Sequence, residues 1–347
     1  MLGDGGCTHT SPIFTNADEI ILSDLINALP DGVSLKHIIT YDYRISGGRG
    51  NSSNPVTEIL RKHRMVCLAK HKRIPEFVFS LSNKYVAIVL NALFACDAYV
   101  YHKGFGITLA SEGMIDDIRH LLLRFGVVCR KRYRQIHLEE KNFDAWEIIC
   151  SDLDGIISIA DNIGILGKQD KLEKVIGEKS SARKNTKDLV ADFDIDSLYE
   201  IISNSKLSGT SRGYSDQIGY NLLRACRQEN VSRPFAKLLS DHFGEQQDRA
   251  YSDIFWDRIK SIEYIGREEV MDLTVEDGHN FIADDVFVHN TSYGVWWLWR
   301  EIQEKGSGDY LVVAPTFPLL DKKLLPEFLK VVPAQLGMGR WWAANMV

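Results

Sequence analysis

The sequence predicts an α+β protein assembled from more than one piece, and three observations carry that prediction. The chain has 347 residues, enough for more than one hydrophobic core. Between residues 74 and 164 the periodicity runs helix, strand, strand, helix, strand, strand, helix. Beyond about Asp253 the text changes to short strands divided by turn residues, and after Thr291 to a helix followed by an apolar strand.

The elements follow in order. Leu2-Gly3-Asp4-Gly5-Gly6-Cys7 leads to Phe14-Thr15-Asn16 and a helix over residues 20–28. Ser82 is an N-cap for the run from Tyr85 to Ala98. That run is apolar nearly all round, so a wholly buried helix is expected. Its small residues Ala92, Ala95 and Cys96 permit another helix backbone to approach closely. The run ends at Asp97, and a carboxylate at the exit of a tightly packed helix is costly unless it holds a cation or a partner. Tyr99-Val100-Tyr101 and residues 105–109 read as strands. Ser111 then opens a helix with Ile115, Ile118 and Leu122 on one stripe, closed by Gly126. Strands over 127–134 and 144–150 and a helical turn over 159–164 complete the pattern.

Residues 168–250 carry a polar linker at 180–186, a Gly/Ser-rich loop at 209–214, and helices near 194–204, 217–228 and 233–243. Strands are expected at 271–275, 281–283 and 286–288, with Asp284-Asp285 as a turn. These lead to His289-Asn290-Thr291. An asparagine amide can attack its own backbone carbonyl, close a succinimide and cut the chain behind itself. The preceding His289 can assist the proton transfers, and the following Thr291 offers a hydroxyl able to carry an acyl group. His279 and Asp272 stand a short way upstream. A helix from Tyr293 towards Glu304, a break at Gly306-Ser307-Gly308, a strand over 310–316 and a helix over 322–331 close the chain.

Composition narrows the classes. Hydrophobic residues make up 45% and charged residues 25%, as in soluble globular proteins. The net charge of −6 conceals two basic islands: Arg61, Lys62, Arg64, Lys70, Lys72 and Arg73, then Arg130, Lys131, Arg132 and Arg134. Such islands on an acidic chain fit a nucleic-acid face. The six cysteines form no CxxC pair, which argues against a zinc ribbon or disulfide scaffold and for a reducing compartment. No run is long enough to span a bilayer and no apolar signal opens the chain, so a cytoplasmic protein without a membrane partner is expected.

The stretch from Asp253 to Asn290 resembles the C-terminal splicing blocks of inteins. That resemblance implies the C-terminal part of the all-β Hint splicing fold over residues 251–290, opened by a strand at 256–263. Asn290 would then be the cyclising residue, His289 and His279 would assist, Asp272 would tune the C-terminal step, and Thr291 would be the acyl acceptor. The text around residues 82–98 resembles the LAGLIDADG motif of intein homing endonucleases with Asp97 on its acid position, and Leu2-Gly3-Asp4-Gly5 resembles the tail of a first copy with Asp4 as partner acid. An endonuclease over residues 1–165 is implied, with Asp4 and Asp97 as Mg2+ ligands and an intein-free double-stranded DNA site as target. Lys131 would be an auxiliary lysine and the basic islands would meet phosphates. Ala92 and Ala98 stand where the motif usually has glycines. Residues 166–250 would be a helical connector.

Residues 291–347 resemble the α/β P-loop ATPase of phage terminase large subunits. The Gly-Lys of a phosphate-binding loop is absent, so ATP belongs only to a reassembled host protein. The resemblance puts Met1 inside the first motif, without the splicing blocks that carry the first nucleophile. A partial reading frame is expected, or else half of a split intein that needs an N-terminal fragment. Two other classes stay open: a packaging ATPase with an inert insertion, and a DNA-binding module with dead catalytic sites.

Overall fold

The same antiparallel sheet occurs twice. In the computed structural model, β1 (Gly5–Gly6), β2 (Ile13–Thr15), β3 (Val33–Ile39) and β4 (Asp42–Gly47) form a four-stranded sheet of order β1-β2-β4-β3. Strands β5 (Ala98–Tyr101), β6 (Gly104–Leu109), β7 (Arg130–Leu138) and β8 (Lys141–Cys150) repeat it as β5-β6-β8-β7. Helix α1 (Glu19–Ala28) crosses between β2 and β3, as α4 (Glu112–Leu123) crosses between β6 and β7. Helix α2 (Pro55–Lys62) follows the first sheet as α5 (Leu153–Ser158) follows the second. The structure describes residues 1–8, 11–47, 54–138, 141–180, 188–190, 231–244, 246–257, 259–267, 280–289, 293–306 and 325–329. They fall into two units, Met1–Ile259 and Lys260–Val347.

Local chemistry explains the crossovers. Asp18 accepts the Ile20 amide to cap α1, and Ser111 accepts the Met114 amide to cap α4. The apolar stripe of α4 buries Ile115, Ile118 and Leu122 completely against Phe105, Ile107 and Ile148 of the second sheet. Helix α3 (Asn83–Asp97) links the halves. Its Leu90, Leu93 and Phe94 join the second core, while Ala95 and Cys96 pack with Phe14, Ile21 and Leu22 of the first. Leu2 packs reciprocally against the second core. The two halves therefore interlock through their acid-bearing segments. A wholly buried α3 was expected, but Tyr85 is 54% and Ile88 58% exposed, and Ala92 is exposed beside them. One stripe of α3 is thus largely exposed, and Ala92 lies on it and not in a buried helix crossing. After the π-turn Ile159–Ile163, α6 (Gln169–Ser180) adds Leu172 and Val175 to the second core.

The connector is described in part. Strands β9 (Leu189–Val190) and β10 (Val231–Ser232) pair, and the expected helix stands at Arg233–Phe243. The helices expected near 194–204 and 217–228 lie outside the described residues. Arg233, 8% exposed, donates to Asp188 at 2.6 Å and to the carbonyls of Arg249, Ala250, Ser252 and Ile254. The strand expected at 256–263 is not formed by its described residues, which have no regular structure and leave Ile259 and Ile262 largely exposed. No cross-strand partner stabilises them among the described residues.

In the second unit β11 (Asn280–Ala283) and β12 (Val286–His289) make a two-residue hairpin. Asp284 and Asp285 take φ of 48° and 65°, the left-handed pair that matches strand twist in a type I′ turn. The helix expected after Thr291 runs Tyr293–Lys305 and stops at Gly306 with φ 81°. A short helix, Leu325–Leu329, lies within the last one expected, and the strand expected at 310–316 is outside the described residues. No described helix is long and apolar enough to cross a membrane.

Candidate functional site

Asp4 and Asp97 hold equivalent places in the two halves. Asp4 immediately precedes β1 and Asp97 immediately precedes β5. The residues after them pair alike: Gly5 opposite Phe14, and Ala98 opposite Ile107. Gly3 makes their approach possible, since a Cβ there would lie 2.5 Å from Asp97 Oδ2 and 2.7 Å from Cys96 Cβ. Asp4 Oδ2 accepts from Asn16 Nδ2 at 2.6 Å. Asp97 Oδ2 is buried with no hydrogen-bond partner among the described residues. Burial, and next the charge of Asp4, push the Asp97 carboxyl up to about 6. Cys96 lies against Asp4, and burial followed by that charge raises its thiol to about 12.

A lysine serves each acid-bearing segment. Lys72 is 7% exposed, and its Nζ donates to the carbonyls of Met1, Leu2, Gly3 and Gly5 at 2.7–3.1 Å. Lys168 Nζ donates to the carbonyls of Phe94, Ala95 and Ala98 at 2.6–3.3 Å. Counted from Asp4 and Asp97, both lysines take the oxygens three before, two before and one after the acid. Two ammonium groups thus cap the carbonyl ends that would otherwise add negative potential beside two carboxylates. Burial lowers the Lys168 pKa, against the charges of Cys96 and Asp97.

This corrects two expectations. Lys72 is no phosphate ligand, because its ammonium is enclosed by carbonyls. Lys131 is not an auxiliary lysine of the pair: its Nζ lies 2.8 Å from Glu112 and from Asp116 on α4. Lys168, which spacing alone did not single out, and Lys72 stand there instead. The sequence signal was available, since each lysine follows its acid by a comparable distance once the halves are aligned.

The other basic residues divide. Arg61, Lys62, Arg64 and Lys70 are exposed on and after α2. Arg73 is committed to Asp117 through Nε and Nη2 at 2.7 and 2.6 Å, which corrects its place among free phosphate ligands. Arg130, Arg132 and Arg134 are exposed along β7. Arg132 and Arg134 both meet Glu147. The structure does not bring the expected splicing residues together for description. His289 ends β12 with its backbone opposite Asn280. Asp272, His279, Asn290 and Thr291 lie outside the described residues.

The donor set at the acid pair fits a divalent cation. It offers two carboxylates, one with a buried unpartnered oxygen, and Mg2+ is commonly bound by one or two carboxylates with water and phosphate completing its shell. Among the described residues no group of three or more His, Cys, Asp or Glu side chains is arranged to hold a metal ion by itself.

Comparison with known proteins decides the family: the intein splicing domain matches residues 12–290. The chain belongs to that family. This intein is 28% identical over 260 residues to the replicative DNA helicase DnaB of Synechocystis sp., covering 70% of this chain and 29% of the helicase. It is 28% identical over 229 residues to glutamine–fructose-6-phosphate aminotransferase of Methanocaldococcus jannaschii, covering 64% of this chain and 20% of that protein. The chain spans under a third of the length of these relatives. Among solved structures, one of mesophilic variants of the homing endonuclease I-DmoI aligns with TM-score 0.34 and 13% identity, over 47% of this chain and 89% of that one.

Proposed function

We propose that this intein carries a LAGLIDADG-type DNA endonuclease in residues 1–180 and completes splicing at Asn290. One observation carries the nuclease part: the duplicated half-unit sets Asp4 and Asp97 at the same register, beside each other, each backed by a lysine on the same three carbonyl positions. Asp4 and Asp97 would hold Mg2+, which supplies charge stabilisation at a phosphodiester. Asn16 orients Asp4, Gly3 leaves room for the Asp97 carboxylate, and Lys72 and Lys168 fix the backbone that presents them. The target is double-stranded DNA lacking the insertion.

In splicing, the Asn290 amide nitrogen attacks its own carbonyl carbon, and the bond to Thr291 nitrogen breaks. His289 and His279 move the protons and Asp272 tunes this step; before it, the Thr291 hydroxyl takes the upstream acyl group from an ester or thioester on the first nucleophile of the N-terminal block, which leaves as its free thiol or hydroxyl. The hairpin β11–β12 supports this reading by delivering His289 at a strand end directly before Asn290. The matched relatives are a replicative helicase and an aminotransferase, so the terminase-like reading of the host rests on the sequence of residues 291–347 alone.

Two measurements test this. Joined to N-terminal splicing blocks and an upstream host segment, the chain should yield a ligated product by mass spectrometry, which Asn290→Ala abolishes. A duplex carrying the uninterrupted host-gene site should be cut in Mg2+, and Asp97→Asn should stop cutting by at least about a hundredfold. An uncut duplex refutes the nuclease assignment, and an unchanged product pattern in Asn290→Ala refutes the splicing assignment.

A further inference from the structure

The outer face of the second sheet carries a second built site. Alternation along β7 sends Lys131 towards α4 and therefore Arg130, Arg132 and Arg134 to the opposite face. Glu147 lies on that face, opposite Arg132 on one side and Thr108 on the other. Its residue is only 2% exposed. Glu147 Oε1 accepts from the Tyr99 hydroxyl and from Thr108 Oγ1 at 3.3 Å, and Oε2 accepts from Arg132 Nε and lies 3.4 Å from Arg134 Nε. Gly106 makes this reach possible, since a Cβ there would stand 2.6 Å from the Tyr99 hydroxyl. Burial opposes ionisation of Glu147, but the bonds from Arg132 and Tyr99 outweigh it and hold its carboxyl below the ordinary range.

This network fixes one guanidinium and leaves its working edge open. Arg132 spends Nε on Glu147, and its two Nη groups take no described bond, with the side chain 43% exposed. A guanidinium tethered in this way presents two parallel N–H donors at reduced entropic cost. The fold does not require it. In the first half, Asp42 holds the register place of Glu147 and accepts from Thr15 at 2.6 Å, yet the residue opposite Asp42 is Ile39, 63% exposed. A buried carboxylate that offsets the charge of Arg132 weakens its pull on a phosphate, while the directional donors remain. Two adjacent acceptors in a plane are what such a fork matches, and guanine O6 and N7 present them in the major groove.

We propose that Arg132, held by Glu147, reads a guanine in the DNA target. The inference rests on the endonuclease reading above. The test is selection from a randomised duplex library of about 30 base pairs, in EDTA and at fixed salt, with the full chain and its Arg132→Lys and Glu147→Gln forms. The parent should select a consensus. Arg132→Lys should lose guanine preference at one or two adjacent positions only, with roughly 5- to 150-fold weaker binding to the parent consensus and an unchanged salt slope. Glu147→Gln should relax the same positions. Replacing the selected guanine by 7-deazaguanine should weaken the parent at least about fivefold, a readout that needs no variant to fold. A consensus unchanged in Arg132→Lys, or tolerance of 7-deazaguanine, overturns the inference. An Arg132→Gln form that binds all sequences uniformly more weakly, with a shallower salt slope, assigns Arg132 to a phosphate and also overturns it. A parent that selects no consensus overturns the endonuclease reading itself.

Discussion

Replacing Asp97 by asparagine should make the metal-free protein more stable at neutral pH, and the size follows from the site. The Asp97 carboxyl stands at about 6 against an ordinary value of 3.8, first because it is buried and next because Asp4 is charged beside it. The native state therefore holds a proton that the unfolded chain has released between these values. Stability is full below pH 3.8 and is lost as pH rises through about 6. At about 1.4 kcal/mol per tenfold change, the loss is roughly 3 kcal/mol, a ceiling because the side chain keeps some contact with water. The asparagine amide has no charge to lose. In EDTA, urea unfolding of parent and Asp97→Asn should coincide near pH 3.5 and differ by roughly 1–3 kcal/mol at about pH 7.5, the variant being more stable. Mg2+ should narrow the gap by stabilising the parent alone. A variant no more stable than the parent at neutral pH, or a gap of the same size at both pH values, would refute the picture of two crowded carboxylates.

Lys72→Met and Lys168→Met should each cost about 1–3 kcal/mol in urea unfolding, because buried carbonyls lose their charged donor. Losses below about 0.5 kcal/mol would remove the capping role. Gly3→Ala should cost about 1–3 kcal/mol, since its methyl falls 2.7 Å from Cys96 Cβ and within reach of Asp97, and a melting temperature equal to the parent's would contradict the close approach. Lys131→Met should leave duplex cleavage within about twofold of the parent, because its ammonium is held by Glu112 and Asp116; a loss of about tenfold or more would return it to the catalytic machinery.

The second half was largely legible in the sequence because its signals are local. The stripe Ile115, Ile118, Leu122 behind the Ser111 cap is a helix by periodicity alone, and α4 runs Glu112–Leu123. The Asp284-Asp285 turn and its flanking strands were readable for the same reason. What was missed depends on chain-distant partners. Lys72 and Lys131 look alike as text, both in basic runs, yet one ends among four carbonyls and the other on two carboxylates. The exposed stripe of α3 was also hidden, since Tyr85 and Ile88 are as apolar as the core residues beside them. A strand at 256–263 was expected from the resemblance to intein C-terminal segments, and without a pairing partner among the described residues no strand forms there.

The two acids and two lysines answer a question that the acids alone leave open. Like charges set side by side raise each other's cost of ionisation, so a bare pair would push its carriers apart or hold a proton. Here neither segment can withdraw, because Ala95 and Cys96 are packed into the first core and Leu2 into the second. The lysines then offset potential while their bonds go to carbonyls, and Asp97 Oδ2 has no partner among the described residues. A direct lysine–carboxylate pair would have relieved the repulsion more fully and filled the coordination position as well. Capping the backbone keeps an anionic pair available to an incoming cation, and the same three carbonyl positions in both halves mean that this device was duplicated with the fold.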